Sequence, residues 1–135
     1  MATITSIYKG DLRTEMTHDQ SGTTILADAP VDNHGKGQAF SPTDLVAAAL
    51  GGCMLTIMGI AANRHGFDIT GTRVETSKVM TSDPRRIGEI AIDFHFPHDY
   101  DDKTRRIIEL AARGCPVARS LSPEVLQTLR FHYGK

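Results

Sequence analysis

The longest apolar stretch of this 135-residue chain carries no charged residue from position 45 to position 62. The Ser-Pro-Thr-Asp sequence of residues 41–44 suits a helix N-terminus, and Gly66 suits a helix end, so a helix is predicted over about 42–65. Its apolar residues occur around the whole circumference, which is typical of a helix buried on all sides. At 1.5 Å per residue such a helix is about 36 Å long, more than one small domain can cover, so the pattern favours an intimate homodimer.

Alternation of apolar and polar positions predicts strands on both sides of this helix. The predicted strands are residues 3–8, 12–18, 22–26, 73–80, 90–96 and 125–133. Two shorter helices are also predicted, one from Asp101 or Asp102 to Gly114 and one opened by Cys115 and Pro116. The resulting order βββ-α-ββ-α-α-β belongs to the α+β class, and the length favours a single domain over residues 1–135.

Composition narrows the range of partners. The 15 basic and 16 acidic residues give a net charge of −1, so nothing indicates binding to nucleic acid or to an anionic membrane surface. The first residues lack the features of a secretory signal, and a cytoplasmic protein is expected. Residues 45–62 approach the length of a membrane span, but they are mostly Ala, Gly, Met and Thr, which insert poorly; a buried helix of a soluble protein is therefore preferred.

The two cysteines lie in different local settings. Cys53 follows Gly51 and Gly52 inside the long helix, where each glycine costs about 1 kcal/mol relative to alanine. The missing side chains either allow a strand or a substrate to approach the thiol or serve helix packing alone. Cys115 stands at a helix N-terminus, where the dipole favours a thiolate, so local electrostatics make it the better-activated cysteine; the alternative is a small apolar cap.

Other polar residues give weaker indications. His95 and His98 flank Pro97 and could share a metal ion, but no histidine falls in a known metal-binding spacing, and no metal or cofactor is expected. Arg85 and Arg86 follow a turn proline, where a solvated turn is the default and an anion or partner contact is the alternative.

Two segments resemble the osmotically inducible protein C / organic hydroperoxide resistance (OsmC/Ohr) family. They are residues 41–53, which end in Gly-Gly-Cys, and residues 114–118, Gly-Cys-Pro-Val-Ala. The resemblance implies an OsmC-like fold, an intertwined homodimer and sites at the subunit interface. It implies reduction of organic hydroperoxides: Cys53 attacks the peroxide, Cys115 condenses with the oxidised sulfur to a disulfide, and a dithiol reductant, of lipoyl type in some members, resets the pair.

The resemblance also implies a cation beside the attacking thiolate. Residues 10–13 resemble the arginine-bearing turn of the family, which makes Arg13 the candidate. The family holds this arginine with a glutamate ten residues before the cysteine, where this chain has Thr43. Asp44 is the adjacent candidate acid; alternatively another acid serves, or the arginine is held differently. Two functional alternatives remain open, an OsmC-like dimer without peroxidase activity that acts as a redox sensor, and a protein that binds a small ligand.

Overall fold

Two three-stranded sheets and three helices make up the computed structural model, which describes residues 2–134. The strands and helices are β1 Ile4–Gly10, β2 Arg13–His18, β3 Thr24–Asp28, α1 Pro42–His65, β4 Arg73–Thr81, β5 Arg86–His95, α2 Asp102–Arg113, α3 Pro116–Ser120 and β6 Leu126–His132. A short 3-10 turn, Val31–Asn33, lies in the loop between β3 and α1. The predicted α+β class is confirmed, and the described chain divides into two compact units, residues 2–46 and residues 47–134.

The unit of residues 2–46 is an antiparallel sheet in the order β1-β2-β3. Its first turn passes through three left-handed residues, Gly10, Asp11 and Leu12, and this tight reversal starts β2 at Arg13. Arg13 stands directly opposite Asp28 in the β2–β3 register. Most large apolar side chains of the unit remain exposed in the single chain: Ile4, Ile7, Tyr8, Leu12, Ile25, Leu26, Val31 and Phe40.

The unit of residues 47–134 contains the hydrophobic core. Its sheet has the order β4-β5-β6, with β4 and β5 antiparallel and β5 and β6 parallel. Strict alternation along β5 turns Ile90, Ile92 and Phe94 to the inner face, where all three are fully buried. They pack with buried side chains of α1, of α2 and of the residues that directly follow β5 and α2: Ala47, Leu50, Met54, Met58, Phe96, Ile108, Ala112 and Cys115.

The single chain covers α1 on one face only, so the all-round burial expected for this helix is not completed within one chain. Its buried residues recur at helical spacing along one face: Ala47, Leu50, Gly51, Met54, Met58 and Ala62. The other strands and helices of the chain cover only that face of α1. Ile60, on the opposite side of the helix, is 50% exposed. By length and composition alone α1 is also apolar enough to cross a membrane, a property that core helices of soluble proteins share.

Candidate functional site

The fold brings Cys53 and Cys115 together although they lie 62 positions apart in the sequence. Cys53 is half-buried near the middle of α1, and Cys115 is fully buried where it caps the N-terminus of α3. Both thiols are free, and Cys53 lies close enough to Cys115 to raise the pKa of its thiol. The two thiols are therefore neighbours in the folded chain, and such proximity is a precondition for a disulfide.

The environment of Cys115 opposes its ionisation. Burial raises the pKa of the Cys115 thiol, and the adjacent Cys53 raises that pKa further, while backbone N–H groups of Ala118 and Val117 lower it. The Ala118 N–H donates to Sγ over 3.3 Å. Because α3 has only five residues and the thiol is fully buried, desolvation outweighs the helix terminus. The prediction that Cys115 is the better-activated cysteine is wrong.

Alkylation under native conditions should therefore modify Cys53 first. A neutral thiol of ordinary pKa is only a few per cent thiolate at pH 7, and the raised pKa of Cys115 lowers that fraction further; burial also blocks the reagent. We expect iodoacetamide to label Cys53 at least about tenfold faster than Cys115 at pH 7, as measured by peptide mass spectrometry, with the difference lost in urea. Faster labelling of Cys115 would contradict this assignment.

The two glycines before Cys53 face different surroundings. A Cβ on Gly51 would lie 3.5–3.8 Å from side-chain atoms of Thr76, Val74 and Ile92, which are ordinary packing distances. A Cβ on Gly52 would meet no atom of residues 2–134 within 4 Å, apart from its chain neighbours and the backbone of its own helix. The outer side of this helical turn is therefore open within the chain. Helix packing explains the glycine at position 51, but no packing contact within the chain explains the glycine at position 52.

Arg13 is held by an acid that the sequence did not indicate. Its Nε donates to Asp28 Oδ1 over 2.6 Å, and its Nη2 donates to Asp28 Oδ2 over 2.9 Å, which is the bidentate geometry of a strong ion pair. Nη2 also donates to Gln38 Oε1 over 2.8 Å. The Arg13 side chain is 32% exposed and that of Asp28 only 3%, so a buried carboxylate anchors a partly accessible guanidinium.

Asp28 is held ionised by its partners. It accepts a third hydrogen bond from the Gln38 backbone N–H at 3.0 Å. Hydrogen bonding from Arg13 is the largest influence, followed by burial in the opposite direction, and the net effect lowers the pKa of Asp28 to about 2. Asp28 therefore remains charged throughout the range in which a thiol reaction is measured.

Asp44, the candidate acid for holding Arg13, instead caps the N-terminus of α1. Its carboxylate accepts from the Ser41 backbone N–H over 3.0 Å, and its own N–H donates to Ser41 Oγ over 3.0 Å. This reciprocal pair is a capping box at the start of α1. The acid that contacts Arg13 is therefore Asp28 rather than Asp44, which corresponds to the alternative that another acid serves.

An open cleft of about 390 Å³ lies beside the arginine in the unit of residues 2–46. Its lining residues are Lys9, Gly10, Asp11, Arg13, Glu15, Leu26 and Lys36. Two acidic side chains among them offset part of the charge of the three cations, so the cleft is polar and nearly balanced.

The two candidate metal ligands, His95 and His98, contact different residues. His95 stacks on His132 and its Nε2 lies 2.9 Å from Glu75 Oε1, whereas His98 packs edge-on against Tyr100. Within residues 2–134, no group of three or more His, Cys, Asp or Glu side chains is arranged to hold a metal ion.

The family model for the OsmC-like protein matches residues 35–129, a stretch that contains both cysteines. This chain belongs to the OsmC-like family. No protein with a curated function is similar enough to count as a match.

Solved OsmC-like structures share the fold over nearly the full chain. A Psychrobacter arcticus protein, provisionally described as an osmotic stress induced and detoxification response protein, is 51% identical, with a TM-score of 0.95 and coverage of 98% of this chain and 96% of its own. The organic hydroperoxide resistance protein OsmC of Legionella pneumophila is 17% identical (TM-score 0.75, coverage 98% and 99%). The organic hydroperoxide resistance protein OhrB of Bacillus subtilis is 20% identical (TM-score 0.71, coverage 97% of each chain).

Sequence reasoning missed two contacts of Arg13, Asp28 and Gln38. Neither belongs to a motif, and Asp28 meets Arg13 only through the pairing of β2 with β3. The signal that was available is weak: a single acid at the end of a strand, followed by a long loop that carries Gln38.

Proposed function

We propose that this OsmC-like protein reduces organic hydroperoxides, with Cys53 as the attacking thiol and Cys115 as the resolving thiol. The observation that carries the proposal is the meeting of the two free thiols in the folded chain. Their unequal burial supports the division of roles, because the half-buried Cys53 is the one that a substrate can reach.

The proposed cycle has three balanced steps. The Cys53 thiolate attacks the terminal oxygen of the hydroperoxide, and the O–O bond breaks. The leaving alkoxide takes up a proton and departs as the alcohol, and Cys53 becomes a sulfenic acid. The Cys115 thiol then attacks that sulfur, forming the Cys53–Cys115 disulfide and releasing water. A dithiol, for example of the lipoyl type, reduces the disulfide and is itself oxidised to a cyclic disulfide.

Arg13 is the proposed cation for the first step. A thiolate is the reactive form of cysteine, and a nearby fixed positive charge stabilises it. The buried ion pair with Asp28 keeps the guanidinium in one orientation, which is the property that a thiolate-stabilising cation needs.

A homodimer is part of the proposal. Large apolar side chains stay exposed on residues 2–46, and Ile60 stays exposed on α1. Exposed apolar surface of this kind often marks a protein–protein interface. Sedimentation velocity at micromolar concentration should give twice the mass of the chain, and a stable folded monomer under these conditions would exclude the dimer.

The activity is tested by mixing the reduced protein with cumene hydroperoxide and following peroxide loss, once without reductant and once with dihydrolipoamide. We expect one equivalent to be consumed without reductant and many with it. Absence of consumption in both mixtures would reject the proposal.

A further inference from the structure

We infer that Gln127 is a positioning residue for the resolving step: its side-chain amide holds α3 against β6 and thereby keeps Cys115 Sγ in place for attack on Cys53. This inference rests on the proposed function and adds a residue of β6 to it. All of the residues involved lie in the unit of residues 47–134.

Gln127 is a polar residue on the apolar face of β6. The register of β5 and β6 places it beside the fully buried Ile90. Leu129 and Phe131, the alternate residues on the same face of β6, pack against the hydrophobic core. An amide in such surroundings is unfavourable unless it has a hydrogen-bond partner. Gln127 has one in α3, because its Nε2 donates to the carbonyl oxygen of Ala118 over 3.0 Å.

Helix α3 needs support from the rest of the chain because it is very short. It has five residues, Pro116–Ser120, and a helix of that length is not stable without tertiary contacts. Its N-cap is Cys115, whose Sγ accepts from the Ala118 N–H over 3.3 Å. Ala118 is therefore held at both of its backbone groups, at the N–H by Cys115 and at the carbonyl by Gln127.

The N–H groups at the start of α3 favour the form of Cys115 that reacts. In resolution Cys115 loses its proton and its thiolate attacks the sulfenic sulfur of Cys53. The S–S bond forms, and the leaving hydroxide takes up the proton to give water. Burial raises the pKa of Cys115, whereas the backbone N–H groups of Ala118 and Val117 lower that pKa. The buried thiol thus depends for its ionisation on N–H groups that stay aligned while α3 is held.

Gln127→Met separates this role from packing. Methionine is close to glutamine in size and shape and suits the apolar surroundings, so Cys115 stays buried, but it has no donor for the Ala118 carbonyl. The first measurement is the pH titration of Cys115 by ultraviolet thiolate absorbance in a Cys53→Ser background, with the protein lacking both cysteines as the blank. We expect Gln127→Met to raise the titration midpoint, because the burial that disfavours the thiolate remains and the alignment of the N–H groups is lost.

The second measurement follows the resolving step in the protein with both cysteines. After one equivalent of cumene hydroperoxide, samples are quenched with dimedone at successive times, and the decline of the Cys53 adduct in mass spectrometry gives the resolution rate. At pH 7 Gln127→Met should resolve about fivefold more slowly, the effect of losing one neutral hydrogen bond of ordinary strength. The rate of peroxide consumption in the first turnover should stay at the wild-type value, since Cys53 attacks before Cys115 takes part.

Thr128 offers a matched control on the same strand. It is the next residue after Gln127 and points to the opposite face of the sheet, where its Oγ1 donates to Glu89 Oε2 over 2.7 Å. Thr128→Val removes one side-chain hydrogen bond from β6 and leaves the contact between Gln127 and Ala118 in place. The titration midpoint and the resolution rate should both equal those of the protein with Thr128.

The outcomes separate this inference from the proposed function, because the titration uses no peroxide. A higher midpoint in Gln127→Met, with no change in Thr128→Val, would support the positioning of Cys115 even if the wild-type protein reduces no peroxide. An unchanged midpoint, or a lower one caused by exposure of the thiol, would overturn it even if the wild-type protein reduces peroxide. An equal rise in Thr128→Val would show a general effect on β6 and would also overturn it. If Gln127→Met does not fold, Gln127→Leu removes the same donor and is read by the same criteria.

Discussion

Replacing Cys53 by serine should abolish peroxide consumption, whereas Cys115→Ser should retain a single turnover. The hydroxyl of serine is not ionised at neutral pH and cannot replace the thiolate, so the first step fails. Without Cys115 the first step proceeds, but the sulfenic acid on Cys53 has no resolving thiol. Rapid mixing with one equivalent of cumene hydroperoxide, followed by dimedone and mass spectrometry, should find the dimedone adduct on Cys53 in Cys115→Ser only.

The same pair of variants can contradict the assignment. If Cys53→Ser consumes one equivalent and Cys115→Ser consumes none, the roles are reversed, and the burial of Cys115 does not prevent attack. If both variants consume peroxide as the wild type does, the protein is not a thiol peroxidase, and a redox-sensing or ligand-binding role of the OsmC-like fold becomes the better account.

Arg13→Ala should slow the attack of Cys53 by roughly thirtyfold. A hydrogen bond from a cation to a thiolate contributes about 2 kcal/mol. Loss of ~2 kcal/mol from the stabilisation of the transition state corresponds to a factor of about 30 in rate. The measurement is the second-order rate constant with cumene hydroperoxide under single-turnover conditions.

Arg130→Ala is the control for this prediction, because Arg130 also forms a bidentate pair with an aspartate but lies in the other sheet. Its rate constant should equal that of the wild type. A rate in Arg13→Ala within a factor of two of the wild type would mean that another group stabilises the thiolate.

The long helix shows what the sequence pattern can and cannot predict about the fold. The cap at Ser41 and the stop at Gly66 are local signals, and α1 runs over Pro42–His65 as predicted. Burial is not a local property. An apolar residue such as Ile60 marks a surface that needs covering, but the pattern does not state whether the cover comes from the same chain.

Strand pairing marks a second limit. Alternation along β5 predicted its inner face correctly, since Ile90, Ile92 and Phe94 are buried. The parallel pairing of β5 with β6 did not follow from either strand, because it depends on how α2 and α3 return the chain.

Some features of the candidate site could likewise be predicted from the sequence, and others could not. Cys53 and Cys115 were recognised because each lies in a short motif, and the fold brings them together. The contact of Arg13 with Asp28 depends on the β2–β3 register, in which a slip of one residue would turn Asp28 to the other face. The activation of Cys115 was predicted wrongly because the sequence showed its helix terminus but not its burial.

A thiol count and peptide mass map of the wild-type protein, before and after one equivalent of alkyl hydroperoxide, test the central claim most directly. The account predicts two free thiols before treatment and none after it, with a peptide pair joined through Cys53 and Cys115 of the same chain. Two free thiols after the peroxide has been added would contradict it.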